Sequence, residues 1–386
     1  MLAPAPDASN LFPRIAPLFA AMFLGFLTVS LPLPALPLHV TRTLGYGTAI
    51  AGLTIGIQSL ATLLTRTYSG RMVDALGSKA TLVRGLAVCS GAGWLYLLSA
   101  TMPMRWVSLA ILFVGRVTLG IGESLLITGV VCWGMSRAGP GRAGAAMSWN
   151  GMAQYGSLAA GAPLGFAMFH AAGFTAVSVA TALLPLVALG AVLPLAPVPA
   201  AGGMRLPVTS VLGRIWRPGL GLMMSGIGFA AVSTFASLDF VDRGWDGAGF
   251  PLLAYGGCFV LVRVVAGNFP DRFGGATVAA LSMTVEALGQ ILLWLAPEPT
   301  LAFVGAGLTG LGCSLVFPSL GVEAFRRIPP ESQGIAVGAF AGFQDVAIGL
   351  TGPLLGGVAA TFQPASVFLV GTLAAAAGAL IASRLR

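Results

Sequence analysis

Twelve apolar runs dominate this chain, at roughly 14–38, 48–69, 80–102, 106–135, 143–168, 172–195, 217–241, 248–268, 276–297, 300–324, 333–360 and 364–383. Each is long enough to cross a ~30 Å hydrocarbon layer as a helix, which takes about 20 residues. A membrane barrel would show ~10-residue alternating segments instead. Only 8% of the residues are charged and 56% are hydrophobic; a soluble chain carries about 25% charged residues. The expected fold class is an all-α membrane protein with twelve transmembrane helices.

Twelve spans return both termini to one side. With the amino terminus inside, fourteen basic residues fall in cytoplasmic segments: Arg14, Arg71, Lys79, Arg84, Arg137, Arg142, Arg205, Arg214, Arg217, Arg272, Arg326, Arg327, Arg384 and Arg386. Outer loops hold three, Arg42, Arg105 and Arg243, and the spans hold Arg66, Arg116 and Arg263. Cytoplasmic loops carry the excess of Lys and Arg in membrane proteins, so both termini are expected inside. The net charge of +8 is therefore topological. No basic stripe with interleaved aromatics points to nucleic acid. The start of the chain has no basic n-region, and the first span is expected to act as its own uncleaved targeting signal.

The chain also repeats itself. Phe113–Leu125 reads FVGRVTLGIGESL, and Phe303–Leu315 reads FVGAGLTGLGCSL, 190 positions later. Gln154 and Pro163 in the fifth span match Gln344 and Pro353 in the eleventh at the same offset. Arg66, Gly70, Asp74 and Gly77 match Arg263, Gly267, Asp271 and Gly274 at offset 197. Gly25, Phe26, Val29 and Ser30 match Gly228, Phe229, Val232 and Ser233 at offset 203. Two pseudo-symmetric six-helix bundles follow, 1–195 and 215–386, joined by a Pro- and Gly-rich cytoplasmic linker at 196–214.

These residues carry a resemblance over essentially the whole chain. The loop GRMVDALGSK, Gly70 to Lys79, resembles the signature loop of the major facilitator superfamily. Arg116, Gly120 and Gly122 are similar to the Arg-x-x-x-Gly-x-Gly motif of its proton-coupled members. GAPLG, Gly161 to Gly165, is close to the Gly-Pro element of the drug:proton antiporters, with Ala162 set between the glycine and the proline. The chain is most similar to a poorly characterised bacterial inner-membrane exporter subfamily within that group. The resemblance implies a major facilitator fold, a multi-pass protein of the bacterial inner membrane, and proton-coupled export by alternating access. It further implies that Asp74 and Asp271 latch the cytoplasmic side.

Particular residues then acquire expected tasks. Arg116 and Glu123 are seven apart, share one helix face, and are expected to point into the cavity between the halves. A charge at the membrane centre costs at least ~2.5 kcal/mol, which keeps both from lipid. Glu123, with Arg116 and Asp345, forms the expected proton-coupling set. Burial raises a carboxylate's pKa and a nearby arginine lowers it, so a group between the two can titrate near neutrality. Glu123 as a direct ligand for a cationic substrate is the alternative. Asn150, Gln154, Tyr155, Gln344 and Gln58 are expected to line a substrate cavity, with interhelical hydrogen bonding as the competing role. Gly70, Arg71, Asp74, Gly77, Lys79, Asp271, Arg66, Arg263, Glu323, Arg326 and Arg327 form the expected gating set. An aspartate at such a loop can accept N–H bonds at a neighbouring helix start or pair with an arginine. Glu286, with Gln290 one turn on, is expected to make a structural contact. Pro32, Pro34 and Pro37 should bend the outer half of the first span.

Cys89, Cys132, Cys258 and Cys313 lie in apolar runs without metal-ligand spacing, so neither zinc nor a disulfide framework is expected. No P-loop, zinc motif or catalytic triad appears, and no enzyme activity or cofactor is expected. The expected partners are a small-molecule substrate, protons as coupling ion and the lipid bilayer, with a monomer as the working unit. The alternative function is a proton symporter or facilitated carrier for a small polar solute such as a sugar or organic acid. A membrane-embedded sensor or enzyme is the remote one.

Overall fold

The structure is a computed structural model that describes residues 11–46, 48–139, 142–198, 206–247, 250–363 and 365–385. Residues 199–205, inside the expected linker, lie outside the described residues. Every regular element among the described residues is helical. They are α1 (Leu11–Ser30), α2 (Pro32–Leu38), α3 (Thr48–Leu76), α4 (Ser78–Thr101), α5 (Arg105–Ala138), α6 (Ala143–Val192), α7 (Val208–Asp242), α8 (Phe250–Ala266), α9 (Phe269–Phe273), α10 (Gly275–Leu295), α11 (Pro299–Phe325), α12 (Gln333–Thr361) and α13 (Ser366–Ser383). Among the described residues, nine stretches are long and apolar enough to cross a membrane. The more polar α3, the 17-residue α8 and the first arm of α6 complete twelve spans.

Local chemistry explains the breaks. The first span is interrupted between α1 and α2 where Pro32 has no N–H to continue the ladder, and a π-helical turn, His39–Thr43, follows its end. In α6 the backbone leaves helical geometry at Ala172 and at Gly173, whose φ is 71°, so one long helix is two arms, the fifth and sixth spans. Gly77 and Gly274, the repeat-equivalent glycines that start α4 and α10, both sit at φ 87°. Only glycine takes that left-handed turn without steric cost, which is why the loop motif keeps it in both halves.

The chain forms two compact units: Met1–Arg142 with Asn150–Met204, and Ala143–Trp149 with Arg205–Arg386. The first seven residues of α6 therefore cluster with the second unit, while the rest of that helix belongs to the first. In unit 1, α5 lies along α4 and α3. In unit 2, α11 lies along α10 and α8, and α7 lies along α12 and α13. The outward-facing side chains of both units are large and apolar, among them Leu64, Val187, Val264, Leu281 and Leu373, each more than half exposed. Such surfaces suit acyl chains, since lipid is as apolar as leucine.

Glycine contacts show the repeat in packing. A Cβ on Gly120 of α5 would collide with the Gln58 carbonyl of α3, and one on Gly310 of α11 would collide with the Tyr255 carbonyl of α8. The same pair of offsets, 190 and 197, relates the two contacts.

Just past the apolar window that ends at Leu36, His39 stacks on Phe174 with centroids 4.2 Å apart. The ring is buried, and its Nε2 has no hydrogen-bond partner among the described residues. Burial lowers its pKa from 6.5 to about 4. The folded protein thus holds His39 neutral while an unfolded chain takes up a proton below about 6.5. Its stabilising contribution is present above that value and is lost as pH falls toward 4. Melting of wild-type protein should drop over this window, and His39→Phe, which keeps the stack, should flatten that drop.

Candidate functional site

The charges in the fourth span are set by α5 and read by α3. The two helices run parallel, so Arg116 meets the start of α3 and Glu123 meets its middle. Arg116 is 1% exposed. Its Nε donates to the Thr54 carbonyl at 2.8 Å, one Nη to the Ile55 carbonyl at 3.3 Å, and the other to the Tyr96 hydroxyl at 3.3 Å. This guanidinium is a clamp that ties α5 to α3 and α4. Two turns on, Glu123 is half-buried. Its Oε2 accepts from Gln58 Nε2 at 2.8 Å and from Thr62 Oγ1 at 2.9 Å. Thr62 Oγ1 also lies 3.1 Å from the Gly120 carbonyl, an alternative acceptor for its single proton. The absence of a side chain at Gly120 lets α3 come close enough for this.

A carboxylate held by one amide and one hydroxyl is bonded without a fixed counter-charge in that pair of contacts. Gln58 is 4% exposed, and its Oε1 has no partner among the described residues. The same holds for Oδ1 of Asn150, 9% exposed on α6. Gln154 and Tyr155 follow on the same helix and are half-buried, as are Gln344 and Asp345 on α12. Thr62, Thr54 and Tyr96 complete the site around Arg116 and Glu123. Their residue types carried no signal, since Thr and Tyr are ordinary occupants of membrane helices.

The loop motifs build a different structure. Asp271, half-buried on α9, accepts from the backbone N–H of Gly144 at 2.9 Å and of Ala145 at 2.8 Å. These are N–H groups at the start of α6, which its own N-cap residue, Arg142, leaves without a side-chain acceptor. Arg263 grips the next turn of the same helix, donating to the carbonyls of Met147 at 3.2 Å and Ser148 at 3.1 Å. Ser148 Oγ donates to the Gly267 carbonyl at 2.9 Å. Arg263 is 4% exposed and lies over the Phe259 ring, so it is buried rather than snorkelling to the interface. Its equivalent Arg66 is also buried, at 6% exposure, as is Asp74 at 5%.

Of the other residues expected to gate, Lys79, Glu323 and Arg327 serve helix ends. Lys79 donates to the Leu193 and Leu195 carbonyls at 2.7 and 2.6 Å, capping the C-terminus of α6. Glu323 Oε1 accepts from the Ala276 N–H at the start of α10, at 3.3 Å, and Oε2 pairs with Arg326. Arg327 donates to the Leu385 carbonyl at 3.4 Å. Gly70 is buried and Arg71 exposed. Among the described residues no group of three His, Cys, Asp or Glu could hold a metal ion.

Residues 18–258 match the sequence family described as the Major Facilitator Superfamily. A Salmonella typhimurium protein described as an uncharacterized MFS-type transporter is 45% identical over 363 residues, 94% of either chain. A Burkholderia mallei protein of the same description is 42% identical over 374 residues, 96% of this chain and 91% of that one. The structure is similar to that of the human organic anion transporter MFSD10, with TM-score 0.82 and 14% identity, covering 97% of this chain and 99% of that one. It is likewise similar to the Escherichia coli fucose:proton symporter FucP, with TM-score 0.79 and 14% identity, covering 98% and 99%. At such identities the likeness is one of fold.

Proposed function

The chain belongs to the Major Facilitator Superfamily, and from that premise we propose that this secondary transporter couples inward proton flow to the export of a small molecule. It works by alternating access, as a monomer, in the bacterial inner membrane with both termini cytoplasmic. The observation that carries the coupling is Glu123: an intramembrane carboxyl held by Gln58 and Thr62, two neutral donors that accept either protonation state. In this reading Glu123 carries the proton. Arg116 fixes α3 against α5 and supplies positive charge along the same face. Asp345 is the acid of the second half that shares the task. Asn150, Gln154, Tyr155, Gln344 and Gln58 contact substrate. The grip of Asp271 and Arg263 on the start of α6 is the gate element, with Asp74 and Arg66 as its repeat equivalents.

A second reading is symport or facilitated uptake of a small polar solute. The open acceptor oxygens of Gln58 and Asn150 support it, since a hydroxyl-rich or amine-bearing substrate would satisfy them. Both readings are tested with protein reconstituted in vesicles, reading lumenal pH against a panel of candidate compounds. Under antiport, a transported compound and protons move in opposite directions; under symport, they move together. Glu123→Gln is expected to abolish the pH signal while substrate counterflow persists. Absence of any pH change with a transported compound removes proton coupling, and loss of counterflow in Glu123→Gln makes Glu123 a substrate ligand instead.

A further inference from the structure

Packing shows that the two units share one triangle of positions inside their helices. A Cβ on Gly122 of α5 would lie 2.9 Å from the backbone nitrogen of Cys89 and 3.2 Å from the Gly85 carbonyl. A Cβ on Gly312 of α11 would collide with the backbone nitrogen of Glu286 and lie 2.6 Å from the Ser282 carbonyl. Gly122 and Gly312 differ by 190, and both Cys89 with Glu286 and Gly85 with Ser282 differ by 197. The collisions of Gly120 with Gln58 and Gly310 with Tyr255 follow the same two offsets. Positions 58, 89 and 123 of unit 1 therefore correspond to 255, 286 and 313 of unit 2. The first set is Gln58, Cys89 and Glu123; the second is Tyr255, Glu286 and Cys313. Carboxyl and thiol have changed places between neighbouring helices. The carboxyl that the second copy of the fourth span lacks stands on the helix beside it, as Glu286.

The surroundings of Glu286 say what that carboxyl does. It is 0% exposed. Its Oε2 accepts from Ser225 Oγ of α7 at 2.7 Å, and its Oε1 has no partner among the described residues. Oε1 lies against Gly228 of α7, where any side chain would collide with it. On its own helix Gln290 donates to the Gly228 carbonyl at 2.9 Å. From α11 the Cys313 thiol faces it across Ser225, whose hydroxyl is 3.5 Å from Sγ. From α8 the buried Tyr255 phenol reaches Cys313, and α13 presents Gly371, beside Gln290. Among the described residues no lysine, arginine or histidine bonds this group. A carboxylate needs several donors or a cation to be buried, and here one hydroxyl and the weakly donating thiol of Cys313 serve.

We propose that Glu286 is a second proton-binding site, the transposed counterpart of Glu123, which takes up and releases a proton within unit 2 beside the task given to Asp345. Uptake forms the O–H bond from hydronium and returns water. Release breaks that bond, leaves the electron pair on the carboxylate and transfers the proton to water. Release requires α7 to draw back from α10, because Ser225 and Gly228 of α7 close the site. The use of this proton in transport rests on the coupling proposed above, but its test does not.

The test is infrared difference spectroscopy of the full chain in liposomes, titrated from acid to alkaline pH. A carbonyl band of a buried protonated carboxyl is expected to fade as pH rises, to be missing from Glu286→Gln, and to persist in Glu123→Gln. Ser225→Ala, which removes the hydroxyl donor and keeps the carboxyl, is expected to shift the band in frequency. Spectra of Glu286→Gln that match wild type overturn the proposal, as does a band that ignores pH throughout. If Glu286→Gln fails to fold, the Ser225→Ala spectrum decides alone: an unshifted band overturns the assignment. Failure of the vesicle assay with Glu123→Gln would leave this band in place, so the two ideas fail separately.

Discussion

Arg116→Met should be the most damaging single substitution inside unit 1. The side chain is among the largest that are fully buried, and three of its nitrogens donate to Thr54, Ile55 and Tyr96. Hydrogen bonds from an ionised donor contribute about 1.5–3 kcal/mol each, and an orphaned buried acceptor adds its own desolvation cost. Methionine fills much of the volume but donates nothing. A loss of about 3–5 kcal/mol is expected, enough to consume much of a typical domain's stability. Arg116→Lys keeps the charge, yet one ammonium cannot reach three acceptors that a planar fork spans, so its melting should fall between methionine and wild type. Glu123→Gln is the contrast: glutamine still accepts from Gln58 and Thr62, and its melting should stay near wild type while coupling is lost. Thermal melting of the detergent-solubilised variants checks all three. If Arg116→Met melts with wild type, the clamp does not hold α3 and the charge must serve elsewhere.

The order of effects also shows what a sequence of this kind reveals. Apolar runs near 20 residues long, with basic residues gathered on one side, leave few folds open, because lipid demands that every backbone group bond within its own helix. The offset of 190 is legible since α5 and α11 keep the glycines that backbones must touch. The seven-residue spacing of Arg116 and Glu123 puts them on one face, and α3 is what that face meets. What the face touches was not legible. Thr54 and Ile55 offer carbonyl oxygens, and a carbonyl leaves no mark in the residue alphabet. The loop aspartate had two readings, a helix start or an arginine; for Asp271 the structure shows the helix start, Gly144 and Ala145. Glu286 looked like a lone acid because the third and ninth spans share too few residues to align. Their equivalence lies in how Gly122 and Gly312 pack, which only coordinates display.

Asp271→Ala should loosen the first turn of α6 within unit 2. The positive end of a helix dipole and two unsatisfied N–H groups meet one carboxylate there, and Arg142 cannot replace it. A cap of this kind is worth up to about 2 kcal/mol, so protection of the Gly144 and Ala145 amides from hydrogen exchange should fall roughly 30-fold. Exchange measured by mass spectrometry on peptides covering 142–149, with variants compared at equal pH, reads this directly. Asp271→Asn keeps one acceptor and should lose less. Burial raises the Asp271 pKa above its usual value, against the lowering effect of the two N–H bonds. The attached state therefore binds a proton more tightly than a free aspartate does. Attachment should strengthen as pH falls through the carboxylate range and weaken as pH rises past the raised value; Asp271→Asn should show no such trend. Arg263→Gln tests the other end of the grip, since the carbonyls of Met147 and Ser148 lose a cation while Asp271 stays in place. If amide protection survives Asp271→Ala but collapses in Arg263→Gln, the carbonyl side alone carries the attachment, and a titrating gate at this loop is ruled out.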